Sequence, residues 1–190
     1  SVSGQIGAFM QSGLLPNLIP SFDPVAILDA SFPNVNGSTF LAGTGENLTI
    51  PNVADAPQFL LSFNSSVAPK LEGQSFVLAI LDPDAPTPEN RTLANAVHMV
   101  ASDVTFNSTL TTFVPLYSST PALAAYLSPT PPPGAPHRYT ALLYLQPDNF
   151  AHSAAPLIPE DRIQLDWQTF TMTTGLGSPI AGTYFQTGQD

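Results

Sequence analysis

The chain has no cysteine, which excludes disulfides, thiolate metal sites and cysteine nucleophiles and leaves the fold to stand on packing alone. Charge is scarce. Only 9% of the 190 residues are charged, with 4 Lys and Arg against 14 Asp and Glu. The formal charge of -10 repels phosphate backbones and anionic headgroups at long range, which argues against nucleic acid as a partner. Permanent cations are confined to Lys70, Arg91, Arg138 and Arg162, so a local positive spot is conspicuous; His98, His137 and His152 complete the basic set. No apolar run approaches the roughly 18 residues of a membrane-spanning helix. G-x-S-x-G, Walker A and H-E-x-x-H are also missing, so acyl transfer, nucleotide hydrolysis and zincin chemistry have no foothold.

What is present is 43% hydrophobic residues, 12 Phe, 21 Pro and 12 Gly. That composition predicts one globular domain over residues 1–190, in which proline and glycine punctuate short strands rather than long helices. Strands are expected at 25–32, 39–41, 48–50, 58–63, 75–81, 97–104, 139–146, 163–173 and 183–186. Ile6, Phe9, Met10 and Leu14 sit at helical spacing before Pro16, so the N-terminal arm 1–15 is expected to hold a short amphipathic helix. Residues 121–128 could add a helical turn or two opening at a proline. Eight or nine short strands suit a mainly β fold, a two-sheet antiparallel sandwich or barrel. Trp167, Phe170, Tyr184 and Phe185 are read as core, and Asp103, Asp166, Glu160, Asp161 and His152 as solvated positions without a role.

Asn36, Asn47, Asn64, Asn90 and Asn107 each begin an N-x-[ST] sequon, more than this content of Asn, Ser and Thr would place by chance. The reading is a secreted, N-glycosylated protein. A chain that starts at Ser1 fits a signal peptide already removed.

The chemistry concentrates at strand ends. The apolar run Leu78–Leu81 stops at Asp82-Pro83-Asp84-Ala85-Pro86, where two prolines hold both carboxylates in fixed directions. A second rigid loop, Pro131-Pro132-Pro133-Gly134-Ala135-Pro136, feeds His137-Arg138-Tyr139, and strand alternation puts His137 and Tyr139 on one face and Arg138 on the other. His98 opens a third apolar strand.

These motifs, with PIAGTYF at Pro179–Phe185, resemble the phosphatidylethanolamine-binding protein family, also called the Raf kinase inhibitor protein family; the resemblance covers 74–186 well and 16–63 loosely. It implies a Greek-key β-sandwich of two antiparallel sheets with a few short peripheral helices. It also implies a small pocket for phosphate or a phosphoethanolamine head, formed here by Asp82, His98, Pro132, His137 and Tyr139 with Gly134 in the loop beside it. Asp84 and Arg138 are expected to form a structural ion pair. Imidazoles, a phenol and loop N–H groups supply donors to phosphoryl oxygens, and Asp82 can orient an imidazole or take a ligand's ammonium. Two departures stand out. Asn95-Ala96-Val97 replaces the family's aromatic residue before the pocket histidine, which removes a stacking wall. The C-terminal helix that closes the pocket in animal members has no counterpart after Phe185, so the pocket is expected either to be open or to have 1–15 covering some other edge.

The reading is therefore a secreted, non-catalytic binding protein with no cofactor, whose partner is a phosphate-bearing or zwitterionic small ligand. The alternative is a secreted inhibitor of a serine carboxypeptidase or other protease acting through surface contacts, because the family includes such inhibitors; the arm 1–15 could then engage the partner. Two rivals carry less weight. Asp82 and Asp84 stand too close together to flank a sugar as a glycosidase pair, and a His98, His137 and Asp82 metal triad competes with a plain imidazole–carboxylate pair, so no metal is expected.

Overall fold

A strand that is apolar on both faces must be covered on both, and this requirement places the central strand. The computed structural model describes residues 1–34, 36–107 and 113–189. Its strands are β1 (Ile27–Pro33), β2 (Thr39–Ala42), β3 (Glu46–Leu48), β4 (Gln58–Ser62), β5 (Phe76–Asp82), β6 (Ala96–Thr105), β7 (Phe113–Pro115), β8 (Tyr117–Ser118), β9 (His137–Leu145) and β10 (Ala181–Thr187). Helices α1 (Val2–Gln11), α2 (Leu14–Asn17), α3 (Ala68–Leu71), α4 (Phe150–Ala154) and α5 (Trp167–Thr174) are short. One sheet runs β2-β1-β4-β7 and the other β3-β10-β9-β5-β6-β8.

Every residue of β5 is buried because the larger sheet has two cores. On its inner face Phe76, Leu78 and Ile80 meet Leu28, Phe32, Phe59 and Leu61 of the smaller sheet. On its outer face Val77, Ala79 and Leu81 share a second core with Phe9 of α1, Phe150 of α4 and Trp167 and Phe170 of α5. The molecule is thus a β-sandwich with helices layered on one side. Among the described residues no helix is long and apolar enough to cross a membrane.

Three of the expected elements take another form and one pairing is unexpected, while β7, β8, α3 and α4 lie outside the expected elements. The segment 163–173 is not a strand: α5 starts where the Asp166 carboxylate accepts the Thr169 N–H at 3.1 Å and ends at Gly175 with φ +77°, the cap pair that fixes a helix at both ends. Its buried residues Trp167, Phe170 and Thr174 follow the helical period, which outweighs the β propensity of its Thr and Phe. Residues 121–128 make no helix; Ala124 bridges Val100 of β6 instead. The strand expected at 48–50 lies at Glu46–Leu48, and Ile50–Val53 turns into a 3-10 helix capped by Thr49 and Asn52. The β3–β10 pair is parallel, whereas the other pairs of named strands are antiparallel; β3 follows β2 after residues 43–45 but joins the edge of the other sheet.

At the N-terminus the expected helix forms, but its buried residues are Gln5 and Phe9, while Met10 is 61% exposed. Phe9 stacks on Phe22 at 4.5 Å and meets Tyr184 edge-on at 5.8 Å, and the Gln5 amide donates to the Leu28 carbonyl at 2.9 Å. Segment 1–15 is a docked part of the core. Trp167, Phe170, Tyr184 and Phe185 are all buried, Asp166 is a helix cap, and His152 is exposed on α4.

Candidate anion site

Alternation along the strands carries three polar residues to the end of the inner core. Asp82 continues the inward row Phe76, Leu78, Ile80, and His137 and Tyr139 continue the row Ala141, Leu143. His98 arrives differently. Ile80 pairs with Met99 and Leu81 with Val97, so His98 is an extra residue in β6. Such a bulge redirects a side chain, and here it brings His98 to the same end as Tyr139.

The four side chains form one chain of contacts. His137 Nδ1 lies 2.8 Å from Asp82 Oδ2. Tyr139 stacks on His137 at a centroid distance of 6.2 Å, and its ring meets the His98 ring edge-to-face at 4.9 Å and 89°. His98 Nδ1 sits 2.6 Å from the Leu127 carbonyl, whose own N–H donates to the His98 carbonyl at 2.8 Å. A carbonyl only accepts, so Nδ1 carries the proton, and in the neutral ring Nε2 is left as an acceptor.

The neighbours set protonation. Burial disfavours the His137 imidazolium, but the hydrogen bond and charge of Asp82, aided by Asp84 and the Pro86 backbone, outweigh it and raise the pKa above its ordinary value. For His98 burial wins over the Leu127 carbonyl and the Asp82 charge, and Arg162 and His137 add to it, so its pKa is lowered. Burial and then the charge of Asp82 push the Tyr139 phenol up, and it stays protonated. His137 Nε2 is buried without a hydrogen-bond partner. The raised pKa favours the His137 imidazolium, in which Nε2 carries an N–H; beside it stand the phenol O–H of Tyr139 and, in the neutral ring that burial favours, an acceptor nitrogen on His98.

The site is nearly closed: Asp82 is 3% exposed, His98 7%, His137 2% and Tyr139 1%. Pro132 and Gly134 are exposed on the loop that leads into β9. Gly134, at φ +138°, donates its N–H to the Gln189 carbonyl, and the Gln189 amide donates to Pro131 at 2.8 Å. Residues 188–189 thus lie along the proline loop, where Gln189 bridges Pro133 in parallel.

Beside the site, Asp84 is held on several sides. Its N–H donates to Asp82 Oδ1 at 2.8 Å, and its carboxylate accepts from Arg138 Nε, Nη2 and backbone N–H at 2.8, 2.6 and 2.8 Å. Arg91 Nε adds a contact at 3.0 Å. Burial disfavours the Asp84 charge, but these donors prevail and lower its pKa. Arg138 also donates from Nη1 to the Ser12 carbonyl at the end of α1. Sequence reasoning named Arg91 as one of four cations without placing it beside Asp84, and did not find Leu127 or Ser12; these two carbonyls, being backbone, have no sequence signature.

The fold is a β-sandwich of two sheets with a few short helices. The sequence profile of the phosphatidylethanolamine-binding proteins matches residues 34–185, and the chain belongs to that family. It is 27% identical to the carboxypeptidase Y inhibitor of Saccharomyces cerevisiae over 90% of this chain and 85% of the inhibitor. It is also 27% identical to the protein BROTHER of FT and TFL 1 of Arabidopsis thaliana, over 97% and 92% of the two chains. The fold superimposes on the carboxypeptidase Y inhibitor in complex with its cognate proteinase with a TM-score of 0.79 at 23% identity, covering 99% of this chain and 96% of the other. A phosphatidylethanolamine-binding protein from Plasmodium vivax gives 0.72 at 14%, with 98% of both chains covered.

Proposed function

We propose that this chain is a secreted, non-catalytic binding protein that holds a small phosphoryl anion between Asp82, His98, His137 and Tyr139, with Pro132 and Gly134 in the adjoining loop. The observation that carries this reading is His137 Nε2, a buried nitrogen without a hydrogen bond of normal geometry, in a ring whose charge is favoured by Asp82 and, to a smaller extent, by the Pro86 carbonyl. A buried polar group left unpaired costs free energy, and a ligand oxygen would remove that cost. The His98 acceptor adds selectivity, since a monoprotonated phosphoryl group offers both an oxygen for His137 and Tyr139 and a hydroxyl for His98. The Asp84–Arg138 ion pair stiffens the wall and leaves the ligand to the imidazoles. Secretion is supported by the five sequon asparagines, all of which are exposed.

The test is a titration of inorganic phosphate and phosphoethanolamine followed by histidine NMR shifts. Saturable shifts at His98 and His137, lost in His137→Ala, are the expected result; equal, featureless responses in both proteins would dismiss the site. A second reading, inhibition of a serine carboxypeptidase through surface contacts, is favoured by the likeness to the yeast inhibitor. Inhibition at micromolar protein that survives His137→Ala would support it.

A further inference from the structure

A groove of about 470 Å³ crosses the outer face of the smaller sheet at the end away from the anion site, lined by Val2, Val25, Ile27, Ser62, Phe63, Asn64 and Phe113. Register explains it. Ile27 of β1 pairs with Ser62 of β4, which pairs with Phe113 of β7, so the three form one outward row, and Asn64 follows Ser62 by one strand repeat. Val25 and Phe113 are 43% and 46% exposed. None of the described lining residues has a charged side chain, which argues against an ion. An aromatic and aliphatic floor with a hydroxyl at its centre suits the apolar face of a neutral sugar.

Asn64 supplies the attachment point. Its Oδ1 accepts from Ser66 Oγ at 2.5 Å and from the backbone N–H groups of Ser66 and Val67 at 3.1 Å each. The side chain is thereby fixed at the rim, and Nδ2 is left to solvent. We infer that the groove is the seat of the N-acetylglucosamine core of a glycan on Asn64, so that this sugar is a structural part of the sandwich face. The inference rests on the secreted, glycosylated reading. The donor is a polyprenyl-diphosphate-linked oligosaccharide: the bond from its anomeric carbon to the phosphate oxygen breaks and the diphosphate leaves with the electron pair. The anomeric carbon bonds to Asn64 Nδ2, which gives up one proton.

The experiment uses the full chain from a secreting eukaryotic host, with glycopeptide mass mapping and Asn64→Gln beside Asn36→Gln and Asn90→Gln. The expected result is full occupancy at Asn64, a fall in Tm of roughly 2–4 °C and increased binding of an apolar dye for Asn64→Gln, with neither change in the two controls. Occupied Asn36 or Asn90 with bare Asn64, or an Asn64→Gln protein indistinguishable from the controls, overturns the inference alone. No sugar at any sequon overturns the secreted reading with it. An unmodified Asn64 in a protein that dimerises through Phe113 gives the groove to a second copy and also overturns it.

Discussion

At the residue scale the candidate site places two histidines in opposite environments. A folded pKa raised above the unfolded value, as at His137, contributes stability that is complete below the unfolded pKa of about 6.5 and is lost as pH rises through the folded pKa. His98, with its lowered pKa, contributes above about 6.5 as a neutral ring, and that contribution is lost as pH falls through the folded value. Asp82→Asn removes the carboxylate that holds the His137 proton. Its His137 titration is expected at lower pH than in wild type, with His98 still below its ordinary value. In urea unfolding, the stability gap between wild type and Asp82→Asn is expected to widen as pH falls from about 8 to about 6, a window that spans the ordinary histidine pKa. A gap that narrows over that range would show that Asp82 does not stabilise the imidazolium. That His137 and Tyr139 share a face was legible from strand alternation, whereas their grouping with Asp82 came only from the family resemblance. The placement of His98 was legible only as proximity, since the bulge that redirects it depends on pairing with Ile80 and Leu81.

At the element scale the helices were harder to read than the strands, for a physical reason. Strands β5, β6 and β9 are long, apolar and bounded by turn residues, so local pattern and tertiary demand agree. In α5 they conflict: Thr169, Phe170, Thr171, Thr173 and Thr174 favour strands, and the decisive signals are the Asp166 cap and the Gly175 stop. Asp166→Ala removes the side-chain acceptor for the Thr169 N–H, and is expected to cost about 1 kcal/mol, measurable by chemical denaturation. The isosteric Asp166→Asn should retain most of it, because an asparagine oxygen also caps. Helix α1 poses the opposite case: the expected helix forms, but it is packed on the sheet through Phe9, which is 0% exposed. Phe9→Ala is expected to cost about 3–5 kcal/mol as a buried aromatic truncation. A loss under about 1 kcal/mol, within the scatter of surface substitutions, would mean that α1 is not seated on the sheet. That outcome would restore the free arm.

At the scale of the whole molecule two candidate binding surfaces lie on different layers, the anion site at the end of the inner core and α1 on the outer face of the large sheet. A hydrogen-bonded path joins them, from Asp82 through the Asp84 backbone and Arg138 to the Ser12 carbonyl. Arg138 is clamped on Asp84 by three contacts, and coupling between the two surfaces would need a second arrangement of that clamp. If the chain inhibits a serine carboxypeptidase, the exposed Met10, held outward by the buried Phe9, is a suitable apolar contact, since methionine is enriched in interface cores. Met10→Glu is expected to weaken inhibition about tenfold or more, equivalent to about 1.4 kcal/mol, with Tm unchanged. His137→Ala should leave inhibition intact while abolishing the phosphate response. The double variant should show the sum of the two effects to within about 0.5 kcal/mol, as for sites without shared partners. A larger coupling energy in that cycle would mean that the Asp84–Arg138 clamp transmits between the layers, and the anion would then act as a regulator of the protease contact.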